Sequence, residues 1–183
     1  VIIAFMAEPN FRAIIATIGL RTKTIISVRN DPNKEYSGKL MSFVGKCILP
    51  LADGCVFQTK DAKEWFPKKL QKKSTIIYNA VKADFFEIQR KPIDGLVVTC
   101  GRLEEQKNHK MLIRAFKNVV EKYPNAKLHI YGEGSLQEQL QKLIDDLGLK
   151  NSIILKGITS DVSSILKEAD IFVLPSLYEG MPN

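Results

Sequence analysis

The sequence predicts an α/β protein made of two doubly wound units, each built on a parallel sheet. Short apolar runs alternate with amphipathic helical patterns along the whole chain. Helical segments between successive strands supply the crossover that parallel strands need. The alternation restarts after a polar stretch at 82–94, so we predict a first unit at 1–80 and a second unit at 81–183.

Four apolar runs predict the strands of the first unit, at 1–5, 23–28, 54–59 and 74–79. Helical patterns lie between them, at 10–18, 39–50 and 60–66. The segment RNDPNKEYSG, which starts at Arg29, is polar and contains proline, so we expect a loop there. Each helical pattern therefore connects one strand to the next, as parallel pairing requires.

Four more apolar runs predict the strands of the second unit, at 95–101, 126–132, 152–157 and 170–175. We expect helices that start at Asn108 and at Ser135, and a third helix near 160–168. Asparagine is a favoured residue at a helix N-terminus, so Asn108 is expected to cap the first of these helices. Ser135 with Glu138 three residues later predicts a capping box for the second.

Composition excludes several classes of protein. The chain has 183 residues, of which 45% are hydrophobic and 26% are charged, as in soluble globular proteins. Its longest apolar run is too short to span a bilayer. The three cysteines do not approach C-x-x-C spacing, so we expect neither a disulfide framework nor a zinc site, and we expect a reducing cytoplasm as the compartment. The chain starts at Val1 within an apolar run, which suggests a piece cut from a longer protein.

Positive charge is concentrated in the first half of the chain. The net charge is +7, and residues 1–82 carry 14 lysines and arginines against 6 acidic residues. An aromatic pair beside four lysines could contact an anionic membrane on its cytoplasmic face, the alternative being a solvated basic loop. The residues of this segment are Trp65, Phe66, Lys68, Lys69, Lys72 and Lys73. We expect no nucleic-acid partner, because no nucleic-acid motif accompanies the charge.

The loop G-R-L-E-E-Q-K-N, which leads from a predicted strand into a predicted helix, is the first candidate site. Gly101 lets the backbone approach a ligand closely, and a helix N-terminus attracts anions. Arg102 and Lys107 add two cations, which suits a diphosphate. The alternative is that these cations pair with Glu104 and Glu105 on a solvated loop.

Three later loops also follow predicted strands. The turn at 132–135 does not continue as G-x-G-x-x-G, so we predict a tight structural turn and not a dinucleotide site. The main chain at 157–160 could face a base. The last segment presents the Glu179 carboxylate beside exposed backbone amides, a combination that suits a polyol and a phosphate, although an ordinary helix-start loop is the alternative.

Two histidines, His109 and His129, lie in different predicted elements. Neither has cysteine or carboxylate companions at metal-ligand spacing, so we predict structural roles for both and no metal site.

Together, G-R-L-x-x-Q-K-N-H, Y-G-E-G, L-K-G and D-I-F-V-L-P-S-L-Y-E-G-M-P-N resemble the donor-binding half of family-4 glycosyltransferases, retaining enzymes of the GT-B fold. The resemblance covers about 74–183 in order and spacing. The first half, with A-D-G-C-V-F-Q-T, resembles the later part of the acceptor-side domain of that family. The resemblance therefore implies two Rossmann-like units with parallel sheets, both incomplete: the C-terminal part of an acceptor-side domain at 1–80 and a truncated donor-binding domain at 81–183.

The resemblance also implies roles for individual residues. Arg102 and Lys107 would hold the donor diphosphate, so that neither a metal nor another cofactor is needed, and Glu179 would contact the donor sugar hydroxyls. Further donor contacts are implied for Gly101, Ile158, Ser160, Gly180, Met181, Pro182 and Asn183.

On the acceptor side, Arg29 and Asn30 stand where many family members have a histidine close to the donor sugar. A guanidinium is not a base, so Arg29 would steady a phosphate or the acceptor. The alternative is a loop arginine paired with Asp31.

The sequence departs from the family pattern in two further places. The second glutamate of the family's pair would fall beyond Asn183, and Asn79-Ala80-Val81-Lys82 stands where Asn-Gly-Val-Asp is common. We expect the fragment by itself to be inactive.

The implied activity is that of a retaining hexosyltransferase of the GT-B type. It would transfer a sugar from a nucleotide-diphosphate sugar, a UDP-sugar by expectation, to a saccharide or lipid-linked saccharide acceptor in polysaccharide or glycoconjugate biosynthesis. Two alternatives stay open: a GT-B sugar phosphorylase or synthase, and a non-catalytic module that binds a nucleotide or a membrane surface.

Overall fold

A computed structural model describes residues 1–81, 83–86 and 89–181. The chain divides into two units. The first unit comprises Val1–Val81 together with the residues from Tyr178, and the second unit comprises Lys82–Leu177. The chain thus begins in the first unit, continues through the second unit and returns to the first unit at Tyr178.

The first unit is built on a sheet of four parallel strands, which follow one another in chain order across the sheet. The strands are β1 (Ile2–Phe5), β2 (Thr24–Val28), β3 (Gly54–Phe57) and β4 (Ser74–Ile76). The helices are α1 (Ala7–Thr17), α2 (Pro32–Glu35), α3 (Lys39–Phe43), α4 (Lys60–Trp65) and α5 (Lys68–Gln71). Because all strands run the same way, their carboxyl ends share one edge of the sheet.

The start of α1 depends on a residue far away in the sequence. The helix begins at Ala7, three residues before the predicted start, and the Ala7 N–H donates to the Glu35 carboxylate at 3.1 Å. Burial raises the pKa of Glu35, and the Ala7 N–H partly offsets this effect. A cap supplied from the segment after β2 leaves no local sequence signal, so the predicted helix was too short at this end.

A short helix, α2, occupies part of the predicted loop after β2. The Asp31 carboxylate accepts a hydrogen bond from the Asn33 N–H at 2.9 Å and thereby caps the helix. Pro32 stands in the first turn, where its missing N–H costs nothing. The same proline that indicated a loop therefore starts a helix.

The helix predicted at 39–50 is divided into three parts. A π-helical turn at Val44–Ile48 and a 3-10 turn at Leu49–Leu51 follow α3. Pro50 cannot donate the hydrogen bond that would continue an α-helix. Gly45 lies against the indole of Trp65, where an added Cβ would be 3.0 Å from the ring.

The predicted aromatic pair next to the lysines belongs to the first core. Phe66 is 2% exposed and packs edge-on against the Tyr36 ring at a centroid distance of 5.5 Å. Trp65 is half-buried, and its indole N–H donates to Asn33 Oδ1 at 2.9 Å. The prediction that Phe66 faces a membrane is therefore wrong, because its ring is enclosed by the core.

The lysines of that segment differ in exposure. Lys68, Lys69 and Lys72 are exposed. The Lys73 ammonium donates to the Ala52 carbonyl, and its pKa is lowered, chiefly by burial. Within the described ranges, no helix has the length and apolar character needed to cross a bilayer.

The second unit is built on a parallel sheet whose strand order reverses. The strands are β5 (Leu96–Cys100), β6 (Lys127–Tyr131), β7 (Ile153–Gly157) and β8 (Ile171–Phe172), in the order β7-β6-β5-β8. The helices are α6 (His109–Lys122), α7 (Gln137–Asp146) and α8 (Val162–Glu168). From β5 the chain moves to β6 and β7 on one side, and then crosses to β8 on the other side. The predicted fold class, two α/β units with parallel sheets, is confirmed, and the reversal that marks a doubly wound sheet lies in this second unit.

The core of the second unit lies between its sheet and the helices α6 and α7. Leu128 and Ile130 of β6 are fully buried, as are Ile113 of α6 and Leu140 of α7. Leu112 and Phe116 of α6 pack in the same core, whereas Met111 is exposed. The packing holds β5 and the start of α6 in place, and the loop between them forms the candidate site.

Candidate functional site

The loops after β5 and β8 diverge where the strand order of the second sheet reverses. In doubly wound sheets, ligands bind in the crevice outside the carboxyl ends of the strands at this position. Two hydrogen bonds join the loops: the Leu177 N–H donates to the Gln106 carbonyl at 2.8 Å, and the Asn108 side-chain amide donates to the Pro175 carbonyl at 3.3 Å. The two sides of the crevice are therefore fixed to each other within the second unit.

The glycine turn after β6 supports the loop after β5. An added Cβ at Gly132 would lie 2.0 Å from the Gly101 carbonyl oxygen, and one at Gly134 would lie 2.5 Å from the Leu103 carbonyl oxygen. The Leu103 side chain is 1% exposed and anchors this contact in the core. The interpretation of 132–135 as a structural turn is confirmed, because only glycine allows the two backbones to approach this closely.

The two predicted cations lie on the same loop in the second unit. Arg102 is largely exposed, and its Nη1 is 3.2 Å from Glu104 Oε2. The aliphatic part of Lys107 lies over Gly101, with its Cδ 3.3 Å from the position of an added Cβ. Glu105 pairs with Lys110 at 2.5 Å. The expected alternative is thus present for Arg102, but an exposed ion pair of this kind contributes at most about 1 kcal/mol, so an anion can replace Glu104.

Asn108 links the loop to the helix in a way that differs from the prediction. Its backbone is left-handed, with φ at 53°. Asn108 is the N-cap residue of α6, as predicted, but its side chain reaches the Pro175 carbonyl and makes no capping hydrogen bond. The capping box predicted at Ser135 is wrong: Leu136 occupies the N-cap of α7, and its N–H donates to the Leu103 carbonyl at 3.0 Å. Both differences arise because contacts between loops replace the local capping hydrogen bonds.

His109, the first residue of α6, is buried beneath the loop. Its side chain is 2% exposed, and neither ring nitrogen has a hydrogen bond of good geometry within the described part of the chain. Burial lowers the pKa of His109, the neighbouring backbone of Arg102 and Gly101 opposes this, and the charge of Lys107 lowers it further. The imidazole is therefore neutral at pH 7, in agreement with a structural role.

Ile158 and Ser160 follow β7 at the same edge of the second sheet and are both exposed. The Gly132 N–H donates to the Gly157 carbonyl at 2.8 Å, which ties this loop to the glycine turn. Asp161 caps α8 by accepting from the Ser164 N–H at 3.0 Å, and its hydrogen bonds with Ser164 and Ser163 lower its pKa to about 2. The segment is therefore held in place while the Ile158 side chain stays open to solvent.

Three polar side chains converge at the carboxyl edge of the first sheet. Arg29 directly follows β2, Gln58 directly follows β3, and Asn79 comes after β4. Arg29 Nη2 donates to Asn79 Oδ1 at 2.8 Å. Asp31, the expected alternative partner of Arg29, caps α2. Asn30 accepts a hydrogen bond from the Asp31 N–H at 3.0 Å.

The segment that carries Glu179 also lies in the first unit. The Asn79 side-chain amide donates to the Met181 carbonyl at 2.6 Å. Gly180 lies directly against the backbone of Arg29, where an added Cβ would be 2.2 Å from the Arg29 carbonyl oxygen. The predicted donor contacts Pro182 and Asn183 lie outside the described residues.

The structure thus assigns the predicted site residues to two groups. The second unit contains Gly101, Arg102, Lys107, Ile158 and Ser160. The first unit contains Arg29, Asn30, Glu179, Gly180 and Met181.

Gln58 and Asn79 were missed by the sequence analysis. The signal that could have identified them is that each comes just after the carboxyl end of a strand. In the ranges 1–81, 83–86 and 89–181, no cluster of three or more His, Cys, Asp and Glu side chains could hold a metal ion.

The second unit has the geometry of a Rossmann-like ligand-binding domain. It combines a reversed strand order, a loop after β5 that bears Arg102 and Lys107, and a helix N-terminus at the end of that loop. These features define the class of α/β proteins that bind phosphorylated ligands at the edge of a parallel sheet.

The family model for glycosyl transferases group 1 matches residues 81–183, which is more than half of the chain. The protein therefore belongs to the glycosyl transferases group 1 family.

Two curated relatives match nearly the whole chain. An uncharacterized glycosyltransferase of Methanocaldococcus jannaschii is 36% identical over 187 residues, which is 92% of this chain and 46% of the relative. The second relative is a Campylobacter jejuni enzyme, N-acetylgalactosamine-N,N'-diacetylbacillosaminyl-diphospho-undecaprenol 4-alpha-N-acetylgalactosaminyltransferase. It is 29% identical, and the match covers 98% of this chain and 52% of the enzyme. The chain thus spans about half the length of the curated relatives it matches.

Solved structures confirm the fold class. HepE of Anabaena, in complex with UDP and glucose, has a TM-score of 0.76 at 16% identity and covers 95% of this chain and 52% of its own. A variant of Staphylococcus aureus TarM, in complex with Fondaparinux, alpha-GlcNAc-glycerol and UDP, has a TM-score of 0.69 at 22% identity over 90% of this chain and 35% of its own. The two units are those of the GT-B fold.

Replacing Asn108 tests its two contributions separately. Both Asn108→Ala and Asn108→Gly remove the bond to Pro175, but alanine tolerates the left-handed backbone less well than asparagine does, whereas glycine adopts it without strain. We expect the alanine variant to lose about 1 kcal/mol more of the free energy of unfolding than the glycine variant, as measured by urea denaturation. Equal losses in the two variants would mean that the left-handed backbone carries no constraint.

The buried His109 predicts a specific dependence of stability on pH. Because its folded-state pKa lies below the usual 6.5, the unfolded chain takes up the proton first, and stability falls as pH drops from 6.5 toward the folded-state pKa. His129, whose pKa is also lowered mainly by burial, contributes with the same sign. We expect His109→Asn to lose less stability than the wild type between about pH 7.5 and about pH 5.5, as measured by urea denaturation at each pH. The same decrease in both proteins would contradict this account of His109.

Proposed function

We propose that the protein transfers a sugar, with retention of anomeric configuration, from a nucleotide-diphosphate sugar to a saccharide or lipid-linked saccharide acceptor. The observation that carries the proposal is the reversal of strand order in the second unit, where Arg102, Lys107 and the N-terminus of α6 belong to one loop and helix. Membership of the glycosyl transferases group 1 family gives the reaction class.

The chemistry of the leaving group explains the cations. Cleavage of the bond between sugar and diphosphate develops negative charge on the departing nucleoside diphosphate. Preorganised cations and the free N–H groups of a helix N-terminus stabilise such charge in the transition state. Arg102 can exchange its exposed Glu104 partner for a phosphate at small cost, so we assign the diphosphate to Arg102 and Lys107.

We assign the base of the donor to the loop after β7. Ile158 is 71% exposed and offers an apolar surface, while Ser160 and the neighbouring main chain offer hydrogen-bonding groups. The solved structures of HepE and of the TarM variant contain UDP, which supports uracil as the base.

The sugar and the acceptor are assigned to residues of the first unit. In the proposed mechanism, the Glu179 carboxylate accepts hydrogen bonds from the donor sugar hydroxyls, with the Gly180 and Met181 backbone beside it. Arg29, which cannot accept a proton, steadies a phosphate or the acceptor together with Asn30. Attack takes place on the face of the leaving group, which gives retention.

The relatives support a lipid-linked or polymeric acceptor. The Campylobacter enzyme, for example, is named for a diphospho-undecaprenol substrate. In this proposal the exposed ammonium groups of Lys68, Lys69 and Lys72 approach anionic headgroups on the cytoplasmic side of the membrane. Phe66 takes no part, because it is buried.

Calorimetric titration of the full-length protein with UDP, GDP and ADP tests the proposed function. We expect saturable binding of UDP, and a loss of at least about tenfold in affinity for Arg102→Ala, equal to about 1.4 kcal/mol, because the guanidinium is one of two fixed cations for the diphosphate. Arg114→Ala is the matched control, since Arg114 is an exposed arginine farther along α6. Failure of the folded protein to bind any of the three nucleotides would refute the donor site and favour a non-catalytic interaction module.

A further inference from the structure

We propose that Asn79, supported by Gln58, is a positioning residue that holds the Glu179–Met181 segment in place for the donor sugar; this inference rests on the proposed role of Glu179. The claim is about the first unit alone, which contains all of these residues. Asn79 acts through the segment and does not itself touch the reacting atoms.

Asn79 uses both halves of its carboxamide. Its Oδ1 accepts from Arg29 Nη2 at 2.8 Å, and its Nδ2 donates to the Met181 carbonyl at 2.6 Å. The neighbours therefore demand an acceptor on one side and a donor on the other. A carboxamide supplies the acceptor and the donor on two separate atoms, at neutral pH and without a charge.

Gln58 forms a network with Arg29 and Asn79 at the carboxyl ends of the strands. It is 4% exposed, so its amide groups must find partners within the protein. In the orientation that satisfies both groups, its nitrogen donates to the Arg29 carbonyl at 2.9 Å, and its oxygen accepts from Arg29 Nη2 at 2.9 Å. Gln58 thereby holds both the main chain and the guanidinium of Arg29, which is the partner of Asn79 Oδ1.

The Glu179–Met181 segment is also constrained by a backbone contact at Gly180. Gly180 lies so close to the Arg29 backbone that a Cβ would be 2.2 Å from the carbonyl oxygen and 3.0 Å from the Asn30 Cα. This contact and the bond to Met181 lie on consecutive residues directly after Glu179. Because the two residues that follow Glu179 are held, its backbone has fewer alternative positions, which lowers the entropy cost of presenting its carboxylate.

The guanidinium of Arg29 links this network to the end of β1. Its Cζ lies 5.8 Å from the centroid of the Phe5 ring. Arg29 is thus held by the aromatic ring, by Gln58 and by Asn79, and it provides a rigid surface for Gly180. The network joins the carboxyl ends of all four strands of the first sheet to the segment that bears Glu179.

Asn79→Asp separates the two contacts of the carboxamide. The aspartate keeps an acceptor for Arg29 but has no donor for Met181, so its carboxylate repels the carbonyl. Asn33→Ala is the matched control, because Asn33 is another asparagine of the first unit, hydrogen-bonded to Trp65 and Asp31 and not to this segment. Binding of UDP is compared with binding of the UDP-sugar that the wild type binds best among UDP-glucose, UDP-galactose and their N-acetylamino forms.

We expect Asn79→Asp to bind UDP as the wild type does and the UDP-sugar about fivefold more weakly, with Asn33→Ala unchanged for both ligands. Equal losses for UDP and the UDP-sugar, or no loss for either, would overturn the proposal. A purely structural role of Asn79 does not change the ratio of the two affinities.

Amide hydrogen exchange provides a readout that does not depend on the ligand. We expect faster exchange at residues 178–181 in Asn79→Asp than in the wild type or in Asn33→Ala, and unchanged exchange there would overturn the positioning role. If the wild type binds no UDP, the proposed function fails, while faster exchange in the variant still supports the positioning by Asn79. The two failures are therefore distinguishable.

Discussion

The reversal of strand order in the second sheet is the constraint on which the candidate site depends. Because β6 and β8 lie on opposite sides of β5, the strand order reverses here, at the position where doubly wound sheets bind their ligands. The loop after β5 ends at the N-terminus of α6, whose first N–H groups have no partner within the helix. Glycines 132 and 134 then let the next turn pack directly on this loop, so the arrangement is rigid before any ligand binds.

The sequence predicts best the elements that depend only on residues near one another in the chain. The strand positions follow from the alternation of apolar runs and helical patterns, and the structure reproduces them, although β4 and β8 end earlier than predicted. The caps were predicted less well, because Ala7 is capped by Glu35 and Asn108 is bound to Pro175, each across a long stretch of sequence. The α-helix predicted at 39–50 ends at Phe43, where a π-helical turn and then a 3-10 turn replace it.

The candidate site shows the same division. Arg102 and Lys107 were predictable, since both lie on one short loop between a strand and a helix. Gln58 and Asn79 were not, because their role appears only when three parallel strands bring distant residues to one edge. The sequence left two interpretations open for Arg29, a phosphate or acceptor ligand and a pair with Asp31. In the structure Arg29 is exposed and hydrogen-bonds with two carboxamides, those of Gln58 and Asn79.

The central claim is that a nucleoside diphosphate binds at the crevice of the second unit. Hydrogen-deuterium exchange of the full-length protein with and without saturating UDP tests it most directly, because it locates the ligand without a mutation. The account predicts slower amide exchange at 101–109, which includes Arg102, Lys107 and the first residue of α6, and at 157–160, the segment proposed to contact the base. Slower exchange confined to other parts of the protein, or no change at saturating UDP, would contradict it.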